Sequence, residues 1–282
     1  MLGCLMATYT ETLRADRDFS LADLDPLSTP GFTGGKKKGQ KALAKTEPRM
    51  SDLQERLYAQ SKVDGTRSLL LVVQGMDTSG KGGIMRHVVG QFDPQGVRYT
   101  GFKAPTPEER QHDFLWRIRK GLPVPGQVGV FDRSHYEDVL IVRVHNLVPP
   151  AVWHDRYALI NEFEREVAAA GTTIVKVMLH VSYEEQGERL MERLDNPEKN
   201  WKWNPGDVAE REHWPAYMTA YQAALTKCST DTAPWFVVPA DRKWYARLAV
   251  ANLVCEHLEA MDLQWPEVDF DVAEQKAALA AT

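Results

Sequence analysis

The sequence predicts an α/β fold: a five-stranded parallel sheet flanked by helices, with a helical lid. Three observations carry this. Short continuous apolar runs recur, among them Leu69–Val73, Val128–Phe131 and Trp235–Val238. Runs of this length, rich in Val, suit strands buried on both faces of a parallel sheet. Helical stretches separate them, as parallel neighbours require. The first run leads straight into Gly75-x-x-x-x-Gly80-Lys81 and then into the helix start Ile84–Val89, the strand–loop–helix setting of a phosphate-binding loop.

In that loop the glycines let the backbone fold back and aim its N–H groups at one anion, and Lys81 adds a point charge. Gly82 follows the lysine, so the hydroxyl that usually meets Mg²⁺ at this position is missing. Asp77 sits inside the loop. A carboxylate beside a polyanion is costly unless a cation stands between them, so Asp77 is a candidate for a metal site or for proton handling. Its plainer role is a turn residue capping its own backbone.

The remaining elements follow in order. Residues 1–49 are broken by Pro26, Pro30 and Gly34-Gly35 and carry Lys36, Lys37, Lys38, Lys41 and Lys45; they read as a flexible basic arm. Leu53, Leu57 and Tyr58 share a helical face before the first strand. Val97–Lys103 reads as the second strand. Pro105 opens a helix that carries Phe114, Leu115 and Ile118 inward and ends near Gly121. The third strand ends in Asp132-Arg133 at the carboxyl edge of the sheet, where ligand crevices fall. There an Asp holds Mg²⁺ or its water, and an Arg meets phosphate bidentately; a strand-end ion pair is the bland alternative. Glu137 and Asp138 follow close to the metal by sequence, whereas His135 and His145 suit packing.

A helix from Pro149-Pro150 to Ala170 leads to the fourth strand, Thr172–Val181. Residues 183–215 are too polar for a core. Arg189 and Arg193 lie at i,i+4, and Lys199 and Lys202 follow in a break that also holds Trp201 and Trp203. In a phosphotransferase this is where a lid brings cations over the transferring phosphate; a solvated helical hairpin is the competing reading. One helix containing Pro215 spans 207–228, the fifth strand is Trp235–Ala240, a last helix covers 243–260, and the tail 266–282 is frayed.

Composition narrows the function. The net charge is −5, with 43% hydrophobic and 26% charged residues. That balance offers no general attraction to nucleic acid or membranes, so a polyanion site must come from local clustering. Lys103, Arg117, Arg119 and Lys120 could line a basic strip, although a solvated helix face explains the last three. Cys4, Cys228 and Cys255 form neither a disulfide framework nor a metal-ligand spacing. No secretory signal and no membrane-length apolar run is present, which points to the cytoplasm.

Taken together, Gly75-Met-Asp77-Thr-Ser-Gly80-Lys81-Gly82-Gly83, Phe131-Asp132-Arg133-Ser134-His135-Tyr136, Lys199-Asn-Trp201-Lys202 and Asp241-Arg242-Lys243-Trp244 resemble the family-2 polyphosphate kinases. The likeness runs over residues 50–265. Ser134–Leu140 is most similar to class III, whose members phosphorylate nucleoside mono- and diphosphates. The resemblance implies a thymidylate-kinase-like P-loop core and transfer of a phosphoryl group between inorganic polyphosphate and AMP, ADP or ATP. It implies Mg²⁺, with Mn²⁺ as a substitute, and a homodimer or homotetramer. It assigns Asp77 and Asp132 to the metal, and Lys81 and Arg133 to the donor and acceptor phosphates beside the loop glycines Gly75, Gly80 and Gly82. Lys103 joins the polyphosphate strip; Arg189, Arg193, Lys199 and Lys202 become lid cations; Glu137 tunes the acceptor. The competing enzyme is an ATP-dependent nucleoside monophosphate kinase of the same fold, against which the missing loop hydroxyl argues. A nucleotide sensor with an inactive loop is opposed by the presence of Asp77, Lys81 and Asp132.

Overall fold

A computed structural model describes residues 7–282; Cys4 lies outside the described residues. Helices α1 (Tyr9–Leu13) and α2 (Lys36–Gln60) precede strand β1 (Ser68–Gly75). Then come α3 (Lys81–His87), β2 (Val97–Gly101), α4 (Trp116–Gly121), β3 (Val128–Asp132), α5 (Ile141–Val144) and α6 (Pro150–Ala169). The chain continues through β4 (Thr172–His180), α7 (Tyr183–Asp195), α8 (Gly206–Glu212), α9 (Trp214–Cys228), β5 (Trp235–Pro239), α10 (Lys243–Glu259) and α11 (Val272–Ala280). All five strands are parallel, in the order β2-β3-β1-β4-β5.

Strand β1 lies at the centre, and all eight of its residues are buried. The chain leaves β1 for the β2–β3 side and returns to β4 on the other. A crevice therefore opens at the carboxyl end of β1, the switch point where such sheets bind ligands. Alternate side chains serve opposite faces. Leu69, Leu71 and Val73 pack under α2, α3 and α10, while Leu70 and Val72 meet Ile118 and Phe163 of α4 and α6.

The N-terminal stretch is not the free arm that its prolines and lysines suggest. The backbone N–H groups of Tyr9 and Thr10 donate to the Glu256 carboxylate at 2.9 and 2.8 Å. Ala15 N–H donates to Trp235 O at 2.8 Å, where Arg14 and Phe236 form an antiparallel bridge on the β5 edge. Helix α2 spans 25 residues and lies along α10. Its inner stripe is Gly39, Thr46, Met50, Leu53 and Leu57. The first two members are small or polar, so the stripe does not register as an apolar periodicity, and the lysines occupy the outer side.

Two predicted helices are interrupted for local reasons. Between 105 and 121, a Thr106–Glu109 capping pair closes a single turn (2.8 and 3.2 Å). Asp113 then caps a new start at Leu115 N (3.0 Å), so α4 begins only at Trp116. The 207–228 segment divides at His213, because Pro215 has no N–H to donate and occupies the first turn of α9. The tail forms the exposed helix α11, capped by Asp271 and burying nothing. Among the described residues no helix is long and apolar enough to cross a membrane.

Candidate active site

The phosphate loop is shaped by its glycines. Gly75 sits at φ +151°, and a Cβ there would lie 2.8 Å from Leu179 O, so the turn out of β1 excludes side chains. Gly80 turns the chain into α3 at φ +114°. Lys81 folds back over the loop, donating to Gly75 O at 2.6 Å and Met76 O at 3.0 Å. Burial lowers its pKa from the usual lysine range, against the pull of Asp77.

The β1–β3 register sets Asp132 opposite Val73, which brings the second landmark to the loop. Arg133 adopts φ +64°, rare for a side chain this long. From there its Nη2 donates to Asp77 Oδ1 at 2.9 Å. Burial pushes the Asp77 carboxyl upward, but Lys81, Arg133 and Arg193 outweigh it and hold the group below the usual carboxylate range. Arg133 is raised in turn: burial opposes its charge, and Glu137 and Asp77 more than offset that. Asp132 Oδ2 accepts from the Tyr99 hydroxyl at 3.3 Å.

Two cavities meet at Asp77 and Arg133. The larger, about 520 Å³, reaches from Gly80, Lys81 and Gly82 past Asp132 to Lys103 on one side. On the other side it reaches Arg189, Arg193, Lys199 and Lys202. Its cations outnumber its acids. The smaller, about 280 Å³, runs from Gly75 and Glu137 to Asn204, Asp207, Tyr217 and Tyr221. Burial raises Glu137 above the usual carboxylate range in spite of Arg133 and Lys81. Every residue to which the family resemblance assigns a site role thus lines one cavity or the other, from four separate stretches of chain.

Their side chains are not all equally free. Arg189 donates to Glu185 (2.7 Å), Thr78 O (2.9 Å), Ala240 O (2.7 Å) and Asp241 O (3.0 Å). With its donors engaged, it ties α7 to the phosphate loop rather than reaching over a substrate as a lid cation. Arg193 holds Lys202 O at 3.1 Å and Asp207 at 3.2 Å. Lys199 and Lys243 both pair with Glu192. Asp138 is turned away from the loop into a 2.9 Å pair with Arg156; burial pushes its pKa up to about 6, against Arg156 and Arg117. The predicted basic strip is mostly neutralised: Arg117 faces Glu109 at 3.7 Å and Arg119 faces Glu166 at 2.9 Å. Tyr99, Asn204, Asp207, Tyr217 and Tyr221 escaped sequence reasoning. Only the strand register and the fold-back of α8 and α9 bring them in.

Among the described residues, no three His, Cys, Asp or Glu side chains are gathered to hold a metal. Asp77 and Asp132 nonetheless share the larger cavity. Two carboxylates with room for phosphate oxygens and water suit Mg²⁺ or Mn²⁺, which bind through one or two protein oxygens and the substrate. The donor set does not suit zinc.

A sequence model of the family described as Polyphosphate kinase 2 (PPK2) matches residues 34–266. The chain is 46% identical over 255 residues to the AMP/ADP-polyphosphate phosphotransferase of Meiothermus ruber, covering 90% of this chain and 94% of that one. It is 42% identical over 254 residues to the ADP-polyphosphate phosphotransferase of Rhodopseudomonas palustris, covering 86% of each. The crystal structure of Polyphosphate Kinase 2 from Arthrobacter aurescens TC1 superposes with a TM-score of 0.96 at 54% identity, over 98% of both chains.

Proposed function

The chain belongs to the polyphosphate kinase 2 family, and from that premise we propose that it transfers phosphoryl groups between inorganic polyphosphate and nucleotides, AMP to ADP and ADP to ATP. The observation that carries this reading is the pair of cavities joined at Asp77 and Arg133. The larger is cationic and open enough for a polyanion. The smaller is lined by tyrosines and acids and suits a nucleoside whose phosphate reaches Arg133.

In the synthetic direction, a terminal phosphate oxygen of the nucleotide attacks the terminal phosphorus of polyphosphate in line. The bond to the next bridging oxygen breaks, and the shortened chain leaves. The attacking oxygen is already ionised at neutral pH, since the second phosphate pKa is about 6. No general base is therefore required, and the protein's task is positioning and charge compensation. Lys81 and the loop N–H groups hold the donor end. Arg133, steered by Asp77, reaches both phosphates. Arg193 and Lys199 trade their contacts with Asp207 and Glu192 for the polyanion as the lid settles. Mg²⁺ bound by Asp77 and Asp132 would neutralise part of the charge between the two substrates.

Glu137 and the resemblance of Ser134–Leu140 to class III support use of both AMP and ADP. The test is transfer from purified polyphosphate with Mg²⁺, AMP and ADP offered separately. ADP from AMP together with ATP from ADP is expected. Transfer to one acceptor alone would move the subgroup, and transfer only from ATP to AMP would make the protein a monophosphate kinase. Polyphosphate as donor is favoured by the relatives, by the missing hydroxyl at Gly82 and by the basic cavity. We also propose a homodimer or homotetramer, supported by exposed Leu147, Val152 and Leu159 near and along α6 and checked by light scattering. A cytoplasmic setting is supported by the free buried thiols of Cys228 and Cys255.

A further inference from the structure

A sealed polar cluster stands directly behind the segment that carries Arg133 and Glu137. Lys176 lies in the middle of β4, Glu164 on α6, and His135 and Tyr136 on the segment itself; each is at most 1% exposed. Lys176 Nζ donates to the Tyr136 hydroxyl (2.8 Å), Glu164 Oε2 (2.5 Å) and Cys228 O (2.6 Å). The Tyr136 hydroxyl donates onward to Glu164 Oε1 at 2.8 Å. His135 Nε2 is 3.1 Å from the same oxygen, and its Nδ1 has no partner. That pattern assigns the ring proton to Nε2.

An ion pair this deep is a poor source of stability, because apolar groups of matching volume do as well or better. Its distinctive effect is geometric. Two successive residues of one loop are fastened to a carboxylate whose position is fixed by a lysine in the central sheet. Ser134 adds a third tie, accepting from Tyr136 N–H (3.2 Å) and from the Gln74 amide (3.1 Å). Immediately upstream, Arg133 is held in the left-handed region, which a long side chain keeps only where its surroundings enforce it. Immediately downstream, Glu137 faces the smaller cavity.

We propose that Lys176, Glu164 and Tyr136 are positioning residues for phosphoryl transfer. They lock the segment 133–137 so that Arg133 meets Asp77 and Glu137 faces the acceptor, while none of the three lines either cavity. This rests on the reading of Arg133 and Glu137 given above.

The test separates stability from geometry. Lys176→Met alone leaves a buried carboxylate unpaired, so thermal stability should fall sharply. The double variant Lys176→Met, Glu164→Leu removes the unpaired charge but leaves the Tyr136 hydroxyl and the His135 Nε2–H without an acceptor, so it should recover much, though not all, of that stability. Its kcat with ADP should stay on the order of tenfold or more below wild type, with KM for polyphosphate changed less than kcat, since Arg133 is the one donor contact on this segment while Lys81, Lys103, Arg193 and Lys199 lie on other elements. Recovery of both stability and kcat would overturn the proposal and leave the cluster a packing device. Tyr136→Phe keeps the ring and the charge pair and removes only the bridging hydroxyl. It decides the matter if the double variant fails to fold: a fall in kcat at near-native stability supports the proposal, and an unchanged kcat overturns it. Wild-type protein without transfer from polyphosphate would instead sink the functional reading.

Discussion

Asp77 and Asp132 line the larger cavity together, and on the proposed reading, in which donor and acceptor phosphates meet there, the site uses their charge rather than their bulk. Asp77→Asn and Asp132→Asn should each lower turnover roughly 100-fold or more, with melting temperatures close to wild type. Near wild-type turnover in either variant would remove that residue from the site. Asp138, one position beyond Glu137, serves a different purpose. Its carboxyl titrates at about 6 in the fold against an ordinary 3.8. Between those values the folded state holds the extra proton, so this group lowers stability as pH rises. Asp138→Asn should therefore gain stability relative to wild type as pH increases from about 4 to about 7, as followed by melting temperature. At this scale the sequence was informative wherever chemistry is local. Gly75, Asp77, Gly80 and Lys81 form a contiguous motif, and Asp132-Arg133 end a recognisable strand. It was silent on Tyr99 and Tyr217, whose relevance depends on which strand pairs with β3 and how α9 folds back, neither of which leaves a local trace. For Arg189 the residue type was informative and the role was not: four protein oxygens accept from it, and their convergence is a property of the assembled fold.

The elements around the site divide into fixed and adjustable ones. Helix α2 belongs to the first group through a close approach: a Cβ at Gly39 would stand 2.2 Å from the Trp244 ring. Gly39→Ala should cost roughly 1–3 kcal/mol through overpacking, measurable by denaturant titration. An unchanged stability would mean that the helix is not seated as described. The end of helix α7 beyond the Arg189 anchor and the turn after it are adjustable. Arg193 is tied to Asp207 and the Lys202 carbonyl by exchangeable polar contacts, and Trp201 is 78% exposed. Arg193→Ala should reduce kcat roughly tenfold or more with little change in melting temperature; the converse pattern would make Arg193 a structural strut. The strands were recognisable because continuous apolar runs are hard to mistake. The first half of helix α2, before the Leu53–Tyr58 face, was not, because a lysine-rich outer side and a glycine at the contact resemble the composition of a loop.

Across the whole molecule, a chain of net charge −5 sets eight Lys and Arg side chains against three carboxylates around one cavity. The attraction for polyphosphate is therefore local and short-ranged, and salt should act on it selectively. Raising salt from about 50 to 200 mM should increase KM for long polyphosphate more than KM for AMP, because more counterions are released by the longer chain. Equal sensitivity of the two would indicate that the basic cavity holds only the terminal phosphates.

The docking of the N-terminal segment also has a consequence in time. Tyr9 and its carboxylate partner Glu256 are 247 positions apart, and α2 rests on α10, one of the last helices to be made. On a ribosome working at about 5–20 residues per second, the first helices emerge roughly 10–50 s before their binding surface exists. Through that interval Met50, Leu53 and Leu57 lack their partners on α10, and the phosphate loop lacks the helix that backs α3. The sheet can begin to assemble while the chain is still growing, but the layer formed by α2, α3 and α10 is completed only once α10 has emerged. Nascent chains stalled before α10 should accordingly be cleaved within α2 by added protease, and chains released at full length should resist.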